Sequence, residues 1–353
     1  MPEDFQITEI YPNEETRWNN LLFKAINASY RQSFPFEYAQ KLNGREINTF
    51  IFSKYGEDIA GVHYSLKSSG NNLINVADIL SGFVFASEPE DTLLSLLVNH
   101  FSEWTKSKGA SYARINPWLP QSFSGELTRY SELFEKEMNR AGFRPIKGGK
   151  HTYWIDLLKN DEDILTKMQP QVRNKIRQGQ RSGLVVEKYD SLDDDLTSSF
   201  WSLYDSLGRK KDFHTISRDR FDMEIVAMVN HKLANLFFTK FNDTIINVAV
   251  ASNFGEASYY YGAINPDFKS LKGCPSPGPF SQWSMINTMK SRGLKIYDLG
   301  FCPGPVPQKE HPNYTVWKYK YDFGGDHVEF LPTYGKVFKP IRGRLFYYKR
   351  YGI

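Results

Sequence analysis

The sequence has few cysteines and no long apolar run, and both absences limit what the chain can be. Its two cysteines, Cys274 and Cys302, form neither a zinc-binding spacing nor a disulfide framework. No stretch of about 18 apolar residues occurs, which argues against a transmembrane helix. The N-terminal segment MPEDFQITEIYPNEE is acidic and polar, unlike a signal or transit peptide. These features predict a cytoplasmic protein without a metal site, and we expect a monomer.

The motifs of several common enzyme classes are also missing. There is no G-x-S-x-G elbow, no H-E-x-x-H motif and no cysteine–histidine pair that the spacing supports. The formal net charge is only +4, so charge alone does not identify a nucleic-acid-binding protein. With 353 residues, 41% of them hydrophobic, the chain is long and apolar enough for two folded domains.

One hairpin-like stretch occurs almost twice. Residues 52–62 read FSKYGEDIAGV and residues 238–248 read FTKFNDTIINV, which align without a gap at an offset of 238 − 52 = 186. A second pair, TKSKGASYARI and MKSRGLKIYDL, has the pattern of a helix end, a glycine and a strand. Its glycine offset is 293 − 109 = 184. Two matches at nearly one spacing predict a duplicated α/β unit.

The repeated unit reads as hairpin strands, then a helix, then a strand, which is the central order of the N-acetyltransferase (GNAT) fold. We therefore predict an α/β protein of two tandem GNAT-like domains, each with a mixed central sheet flanked by helices. The predicted domains are residues 1–160 and residues 161–353, and the second ends in a basic C-terminal segment.

Three stretches of the second half resemble one family. MQPQVRNKIRQGQRSGLVVE, Met168–Glu187, looks like its basic helix R-x-x-I-R-x-x-x-x-G-V entering a strand. The run from YYYGAIN to KIYDLG is similar to its Y-x-G-S … Y-D-L-G-G pattern. WKYKYDFGGDHVEF, Trp317–Phe330, looks like its F-K-x-x-F-G-G stretch. Together they resemble the Fem family of aminoacyl-tRNA-dependent transferases, which build peptidoglycan cross-bridges. The coiled-coil arm of some members is not expected, since no heptad run occurs between Leu184 and Phe200.

The resemblance implies transfer of an amino acid from aminoacyl-tRNA to an amine of a small peptide or a peptidoglycan precursor. Such aminolysis of an activated ester needs no covalent enzyme intermediate and no cofactor beyond the aminoacyl-tRNA co-substrate. The protein must hold both reactants in line, let the amine lose a proton and stabilise the developing oxyanion.

By resemblance, Lys320 is the lysine of the F-K-x-x-F-G-G stretch and is predicted to stabilise the oxyanion or the departing ribose oxygen. The alternative is a solvated lysine on an edge strand, because YKYD alternates. Asp298 ends a strand where ligand sites of α/β sheets gather, so it is the candidate for orienting the amine or taking its proton. Its alternative role is that of a turn-forming aspartate.

Five further residues are predicted to bind substrate. Tyr319 adjoins Lys320, and Tyr261 aligns with a family tyrosine that contacts substrate. Asn116 ends the equivalent strand of the first half. Lys41 and Arg220 are the nearest matches to the family's basic residues for a substrate diphosphate. Core packing for the tyrosines and an Asn-Pro turn for Asn116 remain the alternatives.

Two basic segments stand out against the near-neutral chain. The basic helix supplies Arg173, Lys175 and Arg177, and the segment from residue 336 to residue 350 supplies Arg342 and Arg344. Concentrated positive charge suits contact with a phosphate backbone, so these five residues are predicted to bind tRNA. The alternative is a solvated helix face and a solvated tail.

Two other functions stay open at this stage. The first is an acyl-CoA-dependent N-acyltransferase on the same fold, although the glycine-rich stretch FKSLKGCPSPGP carries prolines, which lack amide donors. The second is a binding module for RNA or peptide that retains the fold without the chemistry.

Overall fold

The computed structural model describes residues 4–69, 74–211 and 215–344. Two compact units divide the chain. Unit 1 comprises Met1–His151 together with Val328–Ile353, and unit 2 comprises Thr152–His327. Lys349 and Arg350, the last two basic residues of the predicted C-terminal segment, lie outside the described residues.

The strands and helices are numbered along the chain. The strands are β1 Phe5–Ile10, β2 Arg45–Lys54, β3 Glu57–Ser69, β4 Ile74–Ile79, β5 Phe83–Phe85, β6 Tyr112–Ile115, β7 Pro120–Phe123, β8 Glu126–Leu127, β9 Arg144–Lys147, β10 His151–Asp156, β11 Val185–Tyr189, β12 Ala234–Phe241, β13 Thr244–Ser252, β14 Glu256–Ile264, β15 Ile296–Asp298, β16 Asp326–Phe330 and β17 Thr333–Val337. The helices are α1 Glu15–Lys24, α2 Phe34–Tyr38, α3 Asp91–Ser107, α4 Arg129–Arg140, α5 Asp161–Lys167, α6 Pro170–Arg181, α7 Asp194–Lys211, α8 Arg218–Phe221, α9 Ala227–Asn230, α10 Pro277–Ser291 and α11 Tyr314–Asp322.

The sheet of unit 1 has the strand order β1-β2-β3-β4-β6-β17-β9, with β5 paired to β3. Only β4 and β6 run parallel, and helix α3 lies between these two strands in the chain. The buried residues of α3 recur at helical spacing, so one face of the helix is apolar and joins the core of this unit. They are Leu93, Leu94, Leu97, Val98, Phe101 and Trp104.

Unit 2 repeats this order. Its strands follow β11-β12-β13-β14-β15-β10, and only β14 and β15 run parallel. Helix α10 lies between these two strands in the chain and buries Trp283, Met285, Ile286 and Met289. The predicted duplication of hairpin, helix and parallel strand is therefore present in both units. Residues 190–193 alone join β11 to α7, so the segment 184–200, which is fully described, contains no coiled-coil arm.

The two hairpins share their construction but not the register that the sequence match indicates. Each turn has two residues with positive φ, residues 55–56 in unit 1 and residues 242–243 in unit 2. Each second strand also carries one extra residue, Ile59 in β3 and Ile246 in β13. Both features are 187 residues apart (242 − 55 and 246 − 59). The identical letters at offset 186 are thus one residue out of structural register.

The predicted boundary of the second domain needs a correction. Residues 328–344 belong to unit 1, because β17 pairs antiparallel with both β6 and β9 and completes that sheet. Two cations of the basic segment serve the same unit, since Lys336 donates to the Ala141 carbonyl and Lys339 to the Gly109 carbonyl. Sheet pairing joins residues far apart in sequence, which a linear division at residue 160 does not anticipate.

Candidate active site

Unit 2 contains a cavity of about 500 Å³ whose walls come from β13, β14, α10 and α11. Apolar groups and neutral polar side chains make up most of its lining. Among the described lining residues, Lys320 is the only one that carries a formal charge. An apolar cavity with a few fixed polar groups is the usual form of a small-molecule site.

Lys320 lies in the last turn of α11, not on an edge strand, so the alternative of a solvated strand lysine is wrong. The residue is only 8% exposed. Its ammonium Nζ donates to the Phe301 carbonyl over 2.6 Å, which fixes the side chain against the loop that follows β15. Burial of an ammonium is costly unless it is hydrogen-bonded, and this contact lowers the cost.

Asp298 is buried at the end of β15 and holds the turn that follows it. Its carboxylate accepts the Gly300 N–H at 2.8 Å and lies within hydrogen-bond distance of the hydroxyls of Thr152 and Ser258. Thr152 also approaches the Gly300 carbonyl at 2.8 Å. Because three donors surround this carboxylate and it does not line the cavity, the geometry favours the alternative role of shaping the turn.

Position 300 requires a glycine. Its φ is +80°, in the left-handed region. A Cβ atom here would stand 3.1 Å from the Tyr259 carbonyl oxygen and 3.2 Å from the Lys320 Nζ. Asp298, Gly300 and the Phe301 carbonyl therefore form one connected support for the ammonium of Lys320.

A second carboxyl, Glu256, is buried near Asp298. Burial, followed by the charge of Asp298, raises the pKa of Glu256 well above its ordinary value. This direction favours the protonated, neutral form of Glu256, which lessens the repulsion between the two buried carboxyls.

The tyrosines of β14 are arranged differently from the prediction. Tyr259 lines the cavity, whereas Tyr261 packs edge-on against Tyr204, with ring centroids 5.9 Å apart. The cause is a bulge, because Val250 pairs with Tyr261 and the next residue of β13 pairs with Tyr259, leaving Tyr260 extra. The bulge interrupts the alternation of side chains along the strand. Tyr261 is not among the residues that the structure brings to Lys320.

Tyr319 does line the cavity beside Lys320, as predicted from its place in the sequence. Desolvation, followed by the neighbouring Tyr259, raises the pKa of Tyr319 above its ordinary value. Burial likewise raises the pKa of Tyr259 to about 12. Both phenols are therefore neutral at physiological pH and act as hydrogen-bonding groups rather than bases.

The sequence reasoning missed the polar residues in the wall opposite this lysine. Asn247 is buried in β13 and donates its side-chain amide to the Ser281 hydroxyl of α10 over 2.8 Å. Both residues line the cavity. A signal was present, because Asn247 interrupts the apolar strand TIINVAVAS, and a polar residue inside a buried strand requires an explanation. Thr152 is likewise a buried polar residue inside a strand, HTYWID.

The other predicted substrate residues lie in different units. In unit 1, Asn116 donates its side-chain amide to the Leu80 carbonyl at 3.0 Å, and exposed Lys41 places its ammonium 4.0 Å from the Tyr38 ring centroid. In unit 2, Arg220 forms an ion pair of 2.9 Å with Glu224, which is fully buried. The Asn116 contact is consistent with the turn alternative, and an anion at Arg220 would have to compete with Glu224.

The five residues predicted to bind tRNA also differ from one another. On α6, Arg173 donates to the backbone carbonyls of Leu165, Thr166 and Met168, so it caps the end of α5. Lys175 and Arg177 are exposed on the same helix, and Arg342 and Arg344 are exposed in unit 1. The cations available to a phosphate backbone are thus the exposed four.

No group of three or more His, Cys, Asp or Glu side chains within the described residues is arranged to hold a metal ion. No helix within them is long and apolar enough to cross a membrane.

Comparisons with known proteins identify the fold. Residues 166–311 match the family model described as an acetyltransferase (GNAT) domain. A structure titled FemX is 17% identical, with a TM-score of 0.81 over 97% of this chain and 100% of that chain. The C-terminal domain of a putative lysylphosphatidylglycerol synthetase from Agrobacterium fabrum is 14% identical, with a TM-score of 0.56 over 94% and 96%. No curated protein sequence matches the chain.

A third solved structure, a tandem GNAT protein from the clavulanic acid biosynthesis pathway, is 10% identical, with a TM-score of 0.50 over 95% and 98% of the two chains. The chain therefore has the tandem GNAT fold that the sequence predicted, in the Fem-like arrangement. The match of residues 166–311 to a GNAT domain supports acyl transfer as its general class of reaction.

Proposed function

We propose that this protein transfers an aminoacyl group from aminoacyl-tRNA to an amine of a small peptide or a peptidoglycan precursor. The observation that carries the proposal is Lys320, a buried ammonium held by the Phe301 carbonyl in an otherwise uncharged cavity. A fixed positive group in such surroundings stabilises a developing oxyanion more strongly than it would in water.

In the proposed reaction, the amine nitrogen attacks the ester carbonyl carbon that joins the amino acid to the ribose. The new C–N bond forms, the ester C–O bond breaks, and the proton lost by the amine passes to the departing ribose oxygen. Lys320 donates a hydrogen bond to the carbonyl oxygen as negative charge develops there. Holding the two reactants together supplies much of the remaining rate enhancement.

Asp298 acts in this proposal as a positioning residue. Its hydrogen bond to the Gly300 N–H fixes the turn that presents the Phe301 carbonyl to Lys320. The Asp298 carboxylate is already engaged by the Gly300 N–H and by neighbouring hydroxyls, and it does not line the cavity. The sequence-based idea that Asp298 takes the proton of the amine is therefore the less favoured of its two roles.

The neutral wall of the cavity suggests what the transferred group is like. Asn247, Ser281 and Gln282 offer amide and hydroxyl groups, and no charged side chain accompanies Lys320 among the described lining residues. A positively charged amino acid side chain would be repelled by the ammonium of Lys320. We therefore propose that the transferred amino acid has no positively charged side chain.

The exposed cations Lys175 and Arg177 of α6 are proposed to contact the phosphate backbone of the tRNA. They carry no ion pair within the described ranges, whereas Arg173 is occupied by backbone carbonyls. A tRNA acceptor end would be recognised by its shape and its unpaired 3′ tail.

An acyl-CoA-dependent N-acyltransferase is the second candidate, favoured by the GNAT match of residues 166–311. In such a site the pyrophosphate would lie at the N-terminus of the helix that corresponds to α10. Here Pro277 and Pro279 occupy the first turn of α10, and Ser276 makes no capping hydrogen bond. Two missing amide donors weaken an anion site at this helix end.

The experiment that separates the two candidates is a transfer assay with alternative donors. The protein is mixed with tRNAs charged with radiolabelled amino acids and with peptide and nucleotide-muropeptide acceptors. RNase-sensitive movement of label from RNA to a small product supports the proposal and identifies the amino acid. Acylation only after acyl-CoA is added would contradict it and establish the second candidate.

A further inference from the structure

Two cations in unit 1 meet at one tryptophan. The Arg31 guanidinium and the Lys150 ammonium each lie 4.8 Å from the ring centroid of Trp118. Arg31 also lies 4.7 Å from the centroid of Tyr30. Both cations are half-buried, and Trp118 is 4% exposed. Like charges repel, so this arrangement is unfavourable unless something compensates it.

The polar atoms of this cluster lack acceptors. Nε of Arg31 and the indole Nε1 of Trp118 are both buried, and neither has a hydrogen-bond partner within the described residues. The backbone carbonyl of Lys150 accepts the Phe330 N–H at 2.8 Å, but no hydrogen bond or ion pair joins its ammonium to a residue in the same ranges. Buried donors without acceptors cost free energy, so two of them beside a half-buried ammonium indicate an acceptor that belongs to the functional state.

A buried carboxyl that interacts with Arg31 does not neutralise the cluster. Glu37 is fully buried, and desolvation raises its pKa to about 8, so it is mostly protonated at neutral pH. Desolvation, followed by the charges of Arg31 and Lys147, lowers the pKa of Lys150 to about 7. A nearby anion would reverse this effect, because it favours the charged form of the lysine.

The backbone at Trp118 is also in an unusual conformation. Its φ is +53°, which is rare for a bulky residue. Phe330 stacks on its ring at 4.6 Å between centroids. The adjacent Pro117 carbonyl carbon would lie 2.6 Å from a Cβ atom on Gly82, so only glycine fits against this turn. The fold thus holds the indole rigidly in a conformation that it would not otherwise adopt.

We propose that Arg31, Lys150 and the indole N–H of Trp118 form a binding site in unit 1 for an oxyanion, either a carboxylate or a phosphate group of a small-molecule ligand. The site supplies two cations and a neutral donor and contains no ionised counter-charge of its own. Assigning this anion to the acceptor substrate rests on the proposed function. The existence of the site does not.

The test is direct binding of small anions to the full chain by isothermal titration calorimetry. Sulfate represents the phosphate group without titrating near neutral pH, and succinate represents the carboxylate. At pH 6 we expect saturable binding of one anion per chain. The affinity falls as the pH rises through about 7, because Lys150 then loses its proton. Preference for sulfate or for succinate identifies which of the two groups the natural ligand carries.

Lys150→Gln and Arg31→Gln are each expected to weaken binding about tenfold or more, since each removes a charge-assisted hydrogen bond. Lys147→Gln is the matched control. It removes an exposed neighbouring charge and is expected to leave the affinity within about threefold. Absence of saturable binding of both anions at pH 6, or equal affinity in Lys150→Gln and the unmodified chain, would overturn the proposal.

Thermal unfolding gives a second readout that does not depend on calorimetry. Sulfate or succinate, whichever binds, should raise the midpoint of the unmodified chain and leave that of Lys150→Gln unchanged. In buffer without either anion, Lys150→Gln should unfold at the same or a higher temperature, because it removes a repelled, half-buried cation. Neither measurement involves tRNA or acceptor, so this site and the proposed transfer activity can fail independently.

Discussion

Each unit buries an aspartate on its pair of parallel strands, and the two are neutralised in different ways. In unit 1, Asp78 on β4 is 1% exposed and is bound by both Arg45 and Arg114. In unit 2, Asp298 on β15 is 5% exposed and is held by hydroxyls and a backbone N–H. The first unit therefore has a closed network of ion pairs around Asp78. The second unit has an open arrangement in which hydrogen bonds hold Asp298.

The difference shows where each unit leaves a cation available. In unit 1, Asp78 is paired directly with Arg45 and Arg114, whereas Arg31 and Lys150 meet at Trp118 elsewhere in the unit. In unit 2, Asp298 binds the Gly300 N–H, and the turn that it shapes holds Lys320 at the cavity through the Phe301 carbonyl. Duplicated strands thus carry an ion-paired aspartate in one unit and, in the other, an aspartate for which we propose a positioning role.

The largest expected effect concerns the closed network. Asp78→Asn leaves two half-buried arginines without their counter-charge, which should lower the free energy of unfolding by about 3–5 kcal/mol. Chemical denaturation monitored by circular dichroism measures it. Asp58→Asn is the control, because Asp58 pairs with Arg17 in a more exposed bridge and should cost about 1 kcal/mol or less. Equal losses in the two variants would contradict the distinction.

A smaller effect is expected at the open aspartate. Asp298→Asn weakens the hydrogen bonds to a buried carboxylate, so it should destabilise the protein by about 1–3 kcal/mol and lower the transfer rate. The pH dependence of transfer should keep its midpoint, because a positioning residue does not exchange the reacting proton. Glu256→Gln is the control and should change little, since the raised pKa of Glu256 already favours its neutral form. A shifted pH midpoint in Asp298→Asn would instead indicate a general base.

The two hairpins differ in the helix that packs on them. In unit 1, a Cβ atom on Gly61 would stand 2.5 Å from the Trp18 ring of α1, whereas Val248, 187 residues later, is buried without strain. Gly61→Ala should therefore cost about 1–3 kcal/mol through overpacking. Gly148→Ala, which meets nothing within 4 Å, should stay within about 0.5 kcal/mol. Denaturation of both variants checks the difference.

The smallest effect separates the cations of α6. Lys175→Gln combined with Arg177→Gln should weaken tRNA binding and reduce the salt dependence of its affinity by about one unit of slope for each lost phosphate contact. Arg173→Gln should leave that slope unchanged and lower stability, because Arg173 caps α5. Filter binding at several salt concentrations measures the slopes. An equal loss of slope in Arg173→Gln would show that its contacts are with RNA.

Local features of the fold were predictable because their signals are local. The sequence indicates the two-residue turns and the glycines that follow α3 and α10. It does not indicate that β17 joins the sheet of unit 1, because the partner strands β6 and β9 lie about 190–220 residues earlier in the chain. The register of the repeat was also misread by one residue, since a bulge shifts pairing without changing the pattern of letters.

Part of the site was predictable because a local sequence motif marks it. Lys320 and Tyr319 were found through a motif, and both line the cavity. Tyr261 was chosen because it aligns with a family tyrosine, whereas the bulge at Tyr260 leaves Tyr259 as the residue that lines the cavity. The cluster of Arg31, Lys150 and Trp118 has no sequence pattern, because it is assembled from a short 3-10 helix and two loops that are far apart in the chain.

The most direct test of the account is the transfer rate of Lys320→Ala against Lys318→Ala in a single turnover with charged tRNA. Lys318 lies on the same helix and is bound to Asp322. The account predicts a loss of about 10²–10³-fold for Lys320→Ala, the usual cost of removing an oxyanion donor, and little change for Lys318→Ala. Undiminished transfer by a folded Lys320→Ala variant would contradict it.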